Sequence, residues 1–496
     1  MVAKARKRGT PHARVASSRR GAKAPTFSRR RRLLIRACDV VVTMDDPGTE
    51  LPGGSILIDD GVIIWVGRGD PPPADGVEVV DGRGLIAIPG LINAHHHLYQ
   101  SMTRSRAQDQ GLFGWLQQLY PVWAGVDVPW MRAAAAVSLA ELALSGCSTT
   151  TDHHYVFPSG VAGIMEAEVH VARQIGMRFH PCRGSMDLGA GKGGLPPDSI
   201  VEDTDAILTQ TEDAIRRWHD PRPGAMVRVA VAPCSPFSAT PRLMRESAAL
   251  ARRAGVRLHT HIAETVDEED YCRRIFGRRP LQLLDDLEWL GPDVWLAHCV
   301  HLNGDDIRRV AQTGTAVAWC PTSNLRLGSG IAPVGELLEA GAAVGLAVDG
   351  SASNDAGHML AEVRQAMLLA RARGNPKRMS ARDALRIATR GSARCLGRDD
   401  VGALLPGKRG DVALYSADSL PMAGTQFDPV AALVYCFPQR VRHLVVDGRQ
   451  VVRDGRLVNM DEDVIAADAR SVEQRILTGT RERGNRGTRR ARRGGM

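Results

Sequence analysis

The sequence has no uninterrupted apolar run near the roughly 18 residues that a membrane-crossing helix needs, so no transmembrane helix is expected. It has no C-x-x-C pair. Its nine cysteines, from Cys38 to Cys436, are odd in number and widely scattered, which argues against a disulfide framework and a thiolate zinc site. Several sit in apolar, strand-like runs, as Cys299 does in WLAHCV and Cys320 in AVAWC, and read as small buried hydrophobes in a reducing, cytoplasmic setting. Glycine (51) and proline (28) are plentiful but follow no period, which excludes collagen-like and low-complexity chains. Residues 1–32 carry no acid against twelve Lys/Arg. No clean apolar stretch follows them, since Leu33-Leu34-Ile35 runs straight into Arg36 and Asp39, so a secretory signal is not expected.

What is present is an ordinary globular mixture, 44% hydrophobic and 24% charged, over 496 residues. That length exceeds what one core usually supports, so a large domain with a smaller one is expected. The net charge of +9 is an affair of the ends. Residues 1–32 contribute +12 and residues 481–496 contribute +6, which leaves −9 for the body between them. The tails are expected to be disordered and solvated, and nucleic acid is not an expected partner of the acidic body.

Short β-branched runs separated by Asp-Gly turns fill residues 33–87, and the same texture returns over 399–462. The economical arrangement is one small β-sandwich built from both chain ends, with a C-terminal helix and basic tail over 463–496. Between them, over 88–398, eight strands alternate with helices: 88–97, 147–154, 178–184, 228–235, 257–264, 294–301, 316–323 and 344–351. Helices open at Asp127 with Pro129 and at Thr240 with Pro241, and close at Gly146 and Gly255. The fold class is therefore α/β: a (β/α)8 TIM barrel plus the small β-sandwich. Polar residues fall at the strands' C-terminal ends, which in a barrel converge on one mouth.

Pro89-Gly90-Leu91-Ile92-Asn93-Ala94-His95-His96-His97 is the strongest local signal. Residues i and i+2 of a strand share a side, so His95 and His97 can grip one ion while His96 points away. His259-Thr260-His261-Ile262-Ala263-Glu264 ends a second strand, His298 a third and Asp349 a fourth. Imidazoles with one carboxylate suit Zn²⁺ with a position open for water, and Fe²⁺ is also accommodated. Of the second His-x-His pair, His261 lies nearer the strand end and is the expected ligand, with His259 in the core or behind it.

PGLINAHHH, HTHIAE, LAHC and AVDGSASND resemble the motifs of the amidohydrolase superfamily, in its cytosine-deaminase-like branch, over residues 33 to about 460. That resemblance implies His95, His97, His261 and Asp349 as metal ligands, Glu264 as proton shuttle and His298 as the group holding water or substrate. The binuclear members carry a carboxylated lysine on the fourth strand. Here VRVAVAPCSPFS has no lysine, so one metal ion is expected. The implied activity is hydrolytic deamination of an amino-heterocycle by metal-bound hydroxide, with Asp349 accepting the water proton and Glu264 protonating the ring. Dimers or larger assemblies are also implied.

HHHLYQSMTR, LFGWLQQLYP, CRGSMDLGAGKGGLPPDS and APCSPFS look most like the family's 8-oxoguanine deaminases, which gives 8-oxoguanine to urate and ammonia as the expected reaction. An s-triazine aminohydrolase, a guanine, isoguanine or cytosine deaminase, and a non-catalytic scaffold are the alternatives. Nucleoside-acting relatives carry a Glu where this chain has Ala124 and a His where it has Cys234, which disfavours a ribosyl substrate. Gln100 (donor and acceptor to a lactam edge), Trp115 (stacking) and Arg183 (a carbonyl oxygen) are the candidate substrate contacts, against core packing for Trp115 and an ion pair for Arg183. Two motifs fail. Gly189-Ala190-Gly191-Lys192-Gly193 lacks the following Ser/Thr of a phosphate loop and reads as a substrate-covering loop. Pro181-Cys182 and Pro233-Cys234 lack the second cysteine of the P-C-x-x-C deaminases.

Overall fold

The structure, a computed structural model, describes residues 31–493 apart from 73, 74, 373 and 437, with side chains described as far as residue 479. The basic start expected as a tail, but for Arg31 and Arg32, lies outside the described residues, as do the side chains of the C-terminal arginines.

Eight parallel strands form one sheet in chain order: Leu91–Asn93, Cys147–His154, Arg178–Ser185, Ala230–Pro233, Arg257–Ile262, Val294–His298, Ala316–Trp319 and Ala343–Leu346. Beyond the ladder, the Ala94 amide donates to the Leu346 carbonyl at 3.1 Å and the Val348 amide to Asn93 Oδ1 at 2.9 Å, which brings first and last strands together. This is the expected barrel. Six of the eight strands stop short of the stretches the sequence suggested, because the polar residues at their ends leave the sheet. Ala263, His298, Cys299 and Asp349 all take left-handed backbone there (φ +51°, +71°, +54° and +64°).

The helices start and stop where side-chain chemistry closes their ends. Asp127 accepts from the Trp130 amide ahead of Val128–Leu144, and Thr240 from the Leu243 amide ahead of Pro241–Ala254. Gly255 (φ +65°) ends the latter, in a conformation a side chain would disfavour. The barrel interior is filled by small residues, Ala94, Ala230, Ala232, Ala316, Ala318, Cys182 and Cys320, around one large one, Trp295. Trp295 donates to the Ala94 carbonyl at 3.0 Å and stacks on His259 with centroids 4.2 Å apart, forming a floor beneath the strand ends.

Strands from both chain ends share the second sheet, nine strands in all. Arg32–Val42 lies between Glu50–Asp59 and Leu85–Pro89, and Val412–Ser416 joins Leu85–Pro89 to His443–Val446. Most pairings are antiparallel, while Arg32–Val42 runs parallel to Val77–Asp81 and Leu85–Pro89. The sheet encloses its own apolar core, including Leu33, Ile35, Ile56, Ile58, Val412, Leu414 and Val445. Arg178 at the start of the third barrel strand fastens this sheet to the barrel through Asp411, at 3.0 and 3.1 Å, with both side chains buried. The C-terminal helix, Glu462–Arg493, carries much of the arginine-rich end in helical form, and arginine is a good helix former. Among the described residues no helix is long and apolar enough to cross a membrane. All nine cysteines are free and eight are buried.

Candidate metal centre and its cavity

His95, His97, His261 and Asp349, far apart in the chain, meet at the barrel mouth. The hydrogen bonds around the three imidazoles fix where their lone pairs point. His97 Nδ1 faces the His153 carbonyl at 2.7 Å and His261 Nδ1 faces the Cys234 carbonyl at 2.6 Å. A carbonyl only accepts, so each Nδ1 carries the proton and each Nε2 presents a lone pair. His259 Nδ1 likewise donates to the Trp295 carbonyl at 2.8 Å, leaving its Nε2 to accept from His95 Nδ1 at 2.7 Å. His95 Nε2 therefore also presents a lone pair.

These three lone pairs converge with one carboxylate oxygen. His97 Nε2 and His261 Nε2 are 3.1 Å apart, a contact between two acceptors that no proton in this tautomeric arrangement relieves. His95 Nε2 is buried with no hydrogen-bond partner. Asp349 Oδ1 lies 3.3 Å from it and 3.4 Å from His97 Nε2. Nitrogens about 2.0–2.1 Å from a shared zinc ion would show such spacings. The donor set thus fits one divalent cation. Burial holds the pKa of His97, His259 and His261 well below the usual range, keeping them neutral as ligation requires. Hydrogen-bond donors to the Asp349 carboxylate favour its ionised form. Its Oδ2 accepts from Ser323 and Ser353.

Glu264 and His298 stand beside this set, with Glu264 Oε2 3.6 Å from His298 Nε2. Asn324 Nδ2 donates to His298 Nδ1 at 3.0 Å, so the His298 proton sits on Nε2, facing the cavity. Burial lowers the His298 pKa to about 4. Burial also raises the Glu264 carboxyl well above its usual range, with the Asp349 and Glu268 carboxylates adding to the effect, which favours its protonated, proton-donating form.

The cavity these groups line has a largely apolar wall that includes Leu112, Trp115, Tyr155 and Phe237. Of the three candidate substrate contacts the structure brings two here. Gln100 lines the cavity with its Oε1 3.4 Å from the Ala352 amide, and Trp115 lines it while donating from Nε1 to the Ala352 carbonyl at 3.1 Å. Arg183 is elsewhere. It points out of the barrel, binds Glu202 (2.7 Å) and Gln210 (2.9 Å) and lies 3.7 Å over the Phe157 ring, because a guanidinium buried between strand and helices needs those partners. The glycine-rich 189–193 loop does not line the cavity either: Gly191 is tied to Asp198 and Gly193 to Tyr271.

Sequence reasoning missed Glu268. Its carboxylate accepts the Ala263 amide at 3.0 Å and the Glu264 amide at 2.8 Å, holding the left-handed turn that presents Glu264. The Thr265-x-x-Glu268 spacing, a helix-capping signature, was the available signal.

The model of the family described as "Amidohydrolase family" matches residues 86–451. 8-Oxoguanine deaminase of Pseudomonas aeruginosa is 46% identical over 434 residues, 87% of this chain and 96% of that protein. Hydroxydechloroatrazine ethylaminohydrolase of Pseudomonas sp. (strain ADP) is 38% identical over 88% of this chain and 94% of its own length. Among solved structures, a triazine hydrolase variant superimposes with a TM-score of 0.86 at 36% identity, covering 89% of this chain and 99% of that one. Atrazine chlorohydrolase from Arthrobacter aurescens TC1, complexed with zinc, gives a TM-score of 0.85 at 36% identity over 89% and 100% of the two chains.

Proposed function

The chain belongs to the amidohydrolase family, and on that premise we propose that it hydrolytically deaminates an amino-substituted heterocycle, with 8-oxoguanine, giving urate and ammonia, as its substrate. The observation that carries this reading is the geometry around Glu264: a buried carboxyl on the wall of the cavity, beside three convergent imidazole lone pairs and Asp349.

His95, His97, His261 and Asp349 would hold one Zn²⁺ or Fe²⁺ ion. When bound, such an ion activates water as a nucleophile near neutral pH. The protein does the rest. Asp349, kept ionised and held by two serine hydroxyls, accepts the proton of the attacking water. Glu264 gives its proton to the ring nitrogen beside the attacked carbon, so the ring does not carry the developing negative charge. His298 Nε2–H donates to the oxygen being added. The exocyclic amino group takes the proton held on Asp349 and leaves as ammonia, while the added hydroxyl gives its proton to Glu264 as the carbonyl forms, which restores both carboxyl groups. Gln100 offers an amide to a lactam edge and Trp115 offers an apolar wall to a planar ring.

Support for an oxidised purine base comes from the 46% identity to 8-oxoguanine deaminase and from Ala124 and Cys234, which supply no ribose partner. An s-triazine substrate is the second reading, favoured by the relatives named for such compounds. Residues 88–398 carry the site in either reading, flanked by 33–87 and 399–462. The protein is further read as a cytoplasmic homo-oligomer.

Ammonia release from 8-oxoguanine, guanine, isoguanine and a hydroxy-s-triazine tests the proposal. The expected result is the highest kcat/KM on 8-oxoguanine. Preference for the triazine would select the second reading, and no turnover by metal-loaded protein would select a non-catalytic scaffold.

A further inference from the structure

Behind the site, between the second barrel strand and the helix Ile164–Ile175, three ionisable side chains meet with no exposure to solvent: Asp152, His154 and Glu168. Asp152 Oδ2, His154 Nδ1 and both Glu168 carboxylate oxygens have no ordinary hydrogen-bond donor or acceptor. His154 Nε2 faces the Val156 carbonyl at 2.7 Å and must carry a proton, so its Nδ1, 3.3 Å from Glu168 Oε1, is a lone pair facing an oxygen. Among the described residues no cation is paired with either carboxyl. Arg183, whose charge acts on His154, is already bound to Glu202 and Gln210, and Tyr99 and Cys182, which also face the group, offer no positive charge.

We propose that Asp152, Glu168 and His154 form a neutral, directed hydrogen-bond chain that positions the His97 turn. Asp152 and Glu168 are both carboxylic acids. Asp152 Oδ2–H donates to Glu168, Glu168 donates from Oε1 to His154 Nδ1, and His154 Nε2–H donates to the Val156 carbonyl. At the other end the Leu98 amide donates to Asp152 Oδ1 at 2.6 Å. Two protons taken up from solvent on folding thus satisfy every unpartnered atom of the set and leave no net buried charge. Burial acts in the same sense on each group: it raises Asp152 to about 8, lifts Glu168 well above its usual range and lowers His154 to about 3.

The chain reaches the site through the main chain. Leu98 follows His97, whose Nδ1–H is held by the carbonyl of His153, the residue between Asp152 and His154. One strand therefore fixes both the backbone and the imidazole of His97. The consequence for activity rests on the proposed role of His97 as a ligand; the protonation of the chain does not.

Amide replacement tests it, because an amide can donate and accept at the same two positions as a carboxylic acid but cannot ionise. D152N and E168Q should keep kcat within about twofold of the parent, since no hydrogen bond is lost. D152A should lose about 10–100-fold in activity or metal affinity, as removal of an outer partner does. Infrared spectra of the parent at pH 7 should contain the carbonyl band of buried, protonated carboxylic acids, diminished in each amide variant. The sign with pH is also fixed. The folded parent holds its Asp152 proton up to about pH 8, so its stability relative to D152N falls as pH rises from about 4 to about 8.

The same three donors could hold a divalent cation, and that alternative behaves oppositely. Loss of activity in D152N or E168Q equal to that in D152A, or a second equivalent of metal in the parent that these variants lose, would overturn the proposal. Absence of the infrared band would overturn it even if no variant folds. A parent inactive on every heterocycle would refute the functional reading while leaving the band and the pH dependence to be read.

Discussion

Each imidazole at the barrel mouth is told which nitrogen to present by what its other nitrogen touches. For His97 and His261 the partner is a main-chain carbonyl, and for His95 it is His259. Replacing His261 by Ala removes a proposed ligand and should abolish stoichiometric metal. H259A removes the acceptor that orients His95, together with the stack on Trp295, but no proposed ligand, so metal should still bind, about 10–100-fold more weakly in a chelator competition. Equal metal loss in both variants would make His259 a ligand. Glu264 separates chemistry from binding. E264Q keeps shape and reach but has no proton to give, so kcat should fall by about 10²–10⁴-fold. Elemental analysis of the same sample should find the metal unchanged, whereas metal loss would recast Glu264 as a ligand. Because Glu264 acts as an acid, activity is present below its raised pKa and lost above it.

The left-handed turn Ala263–Glu264 ends the fifth barrel strand, and its two amides are satisfied by one buried carboxylate, Glu268, from the first turn of the helix Val266–Phe276. E268A should leave both amides unpaired in a buried place, at about 1–3 kcal/mol each, read as a shift in a denaturant midpoint. Burial raises Glu268 from 4.5 to about 7. The folded state therefore binds an extra proton between these values, and stability falls as pH rises through that window, by up to about 3 kcal/mol. E268Q should flatten this slope in melting curves from pH 4 to pH 8, even though it loses one of the two bonds. An unchanged slope would assign the titration to other groups.

The nine-stranded sheet meets the barrel away from the mouth. Its tie is the buried pair Arg178–Asp411, with Asp411 also accepting the Asp447 amide at 2.8 Å. D411A should cost about 1.5–3 kcal/mol, because Arg178 loses its two-pronged bond to a buried carboxylate and keeps only Asp447 at 3.4 Å and the Gly224 and Ala225 carbonyls. Thermal unfolding should reveal that loss while kcat per folded molecule stays at the parent value, since no cavity-lining group is touched. A fall in kcat at constant folded fraction would instead couple the sheet to the site.

The sequence by itself determined the barrel, the sharing of a small β-domain between the chain ends and the convergence of His95, His97, His261, Glu264, His298 and Asp349. Strand periodicity, glycine and proline stops and polar strand ends are local signals, and one barrel mouth is the only place where such ends can meet. Side-chain direction was different. Arg183 sits on a strand end like the others, and only the packed structure shows that it faces Glu202 and Phe157 rather than the cavity. Likewise Trp115 could be assigned to core or cavity only once its neighbours were in place. The roles of His259, Glu268 and the Asp152–Glu168–His154 set depend on which buried atom lies within hydrogen-bond reach of which other. Those distances join residues up to 164 positions apart, and tertiary packing alone decides them.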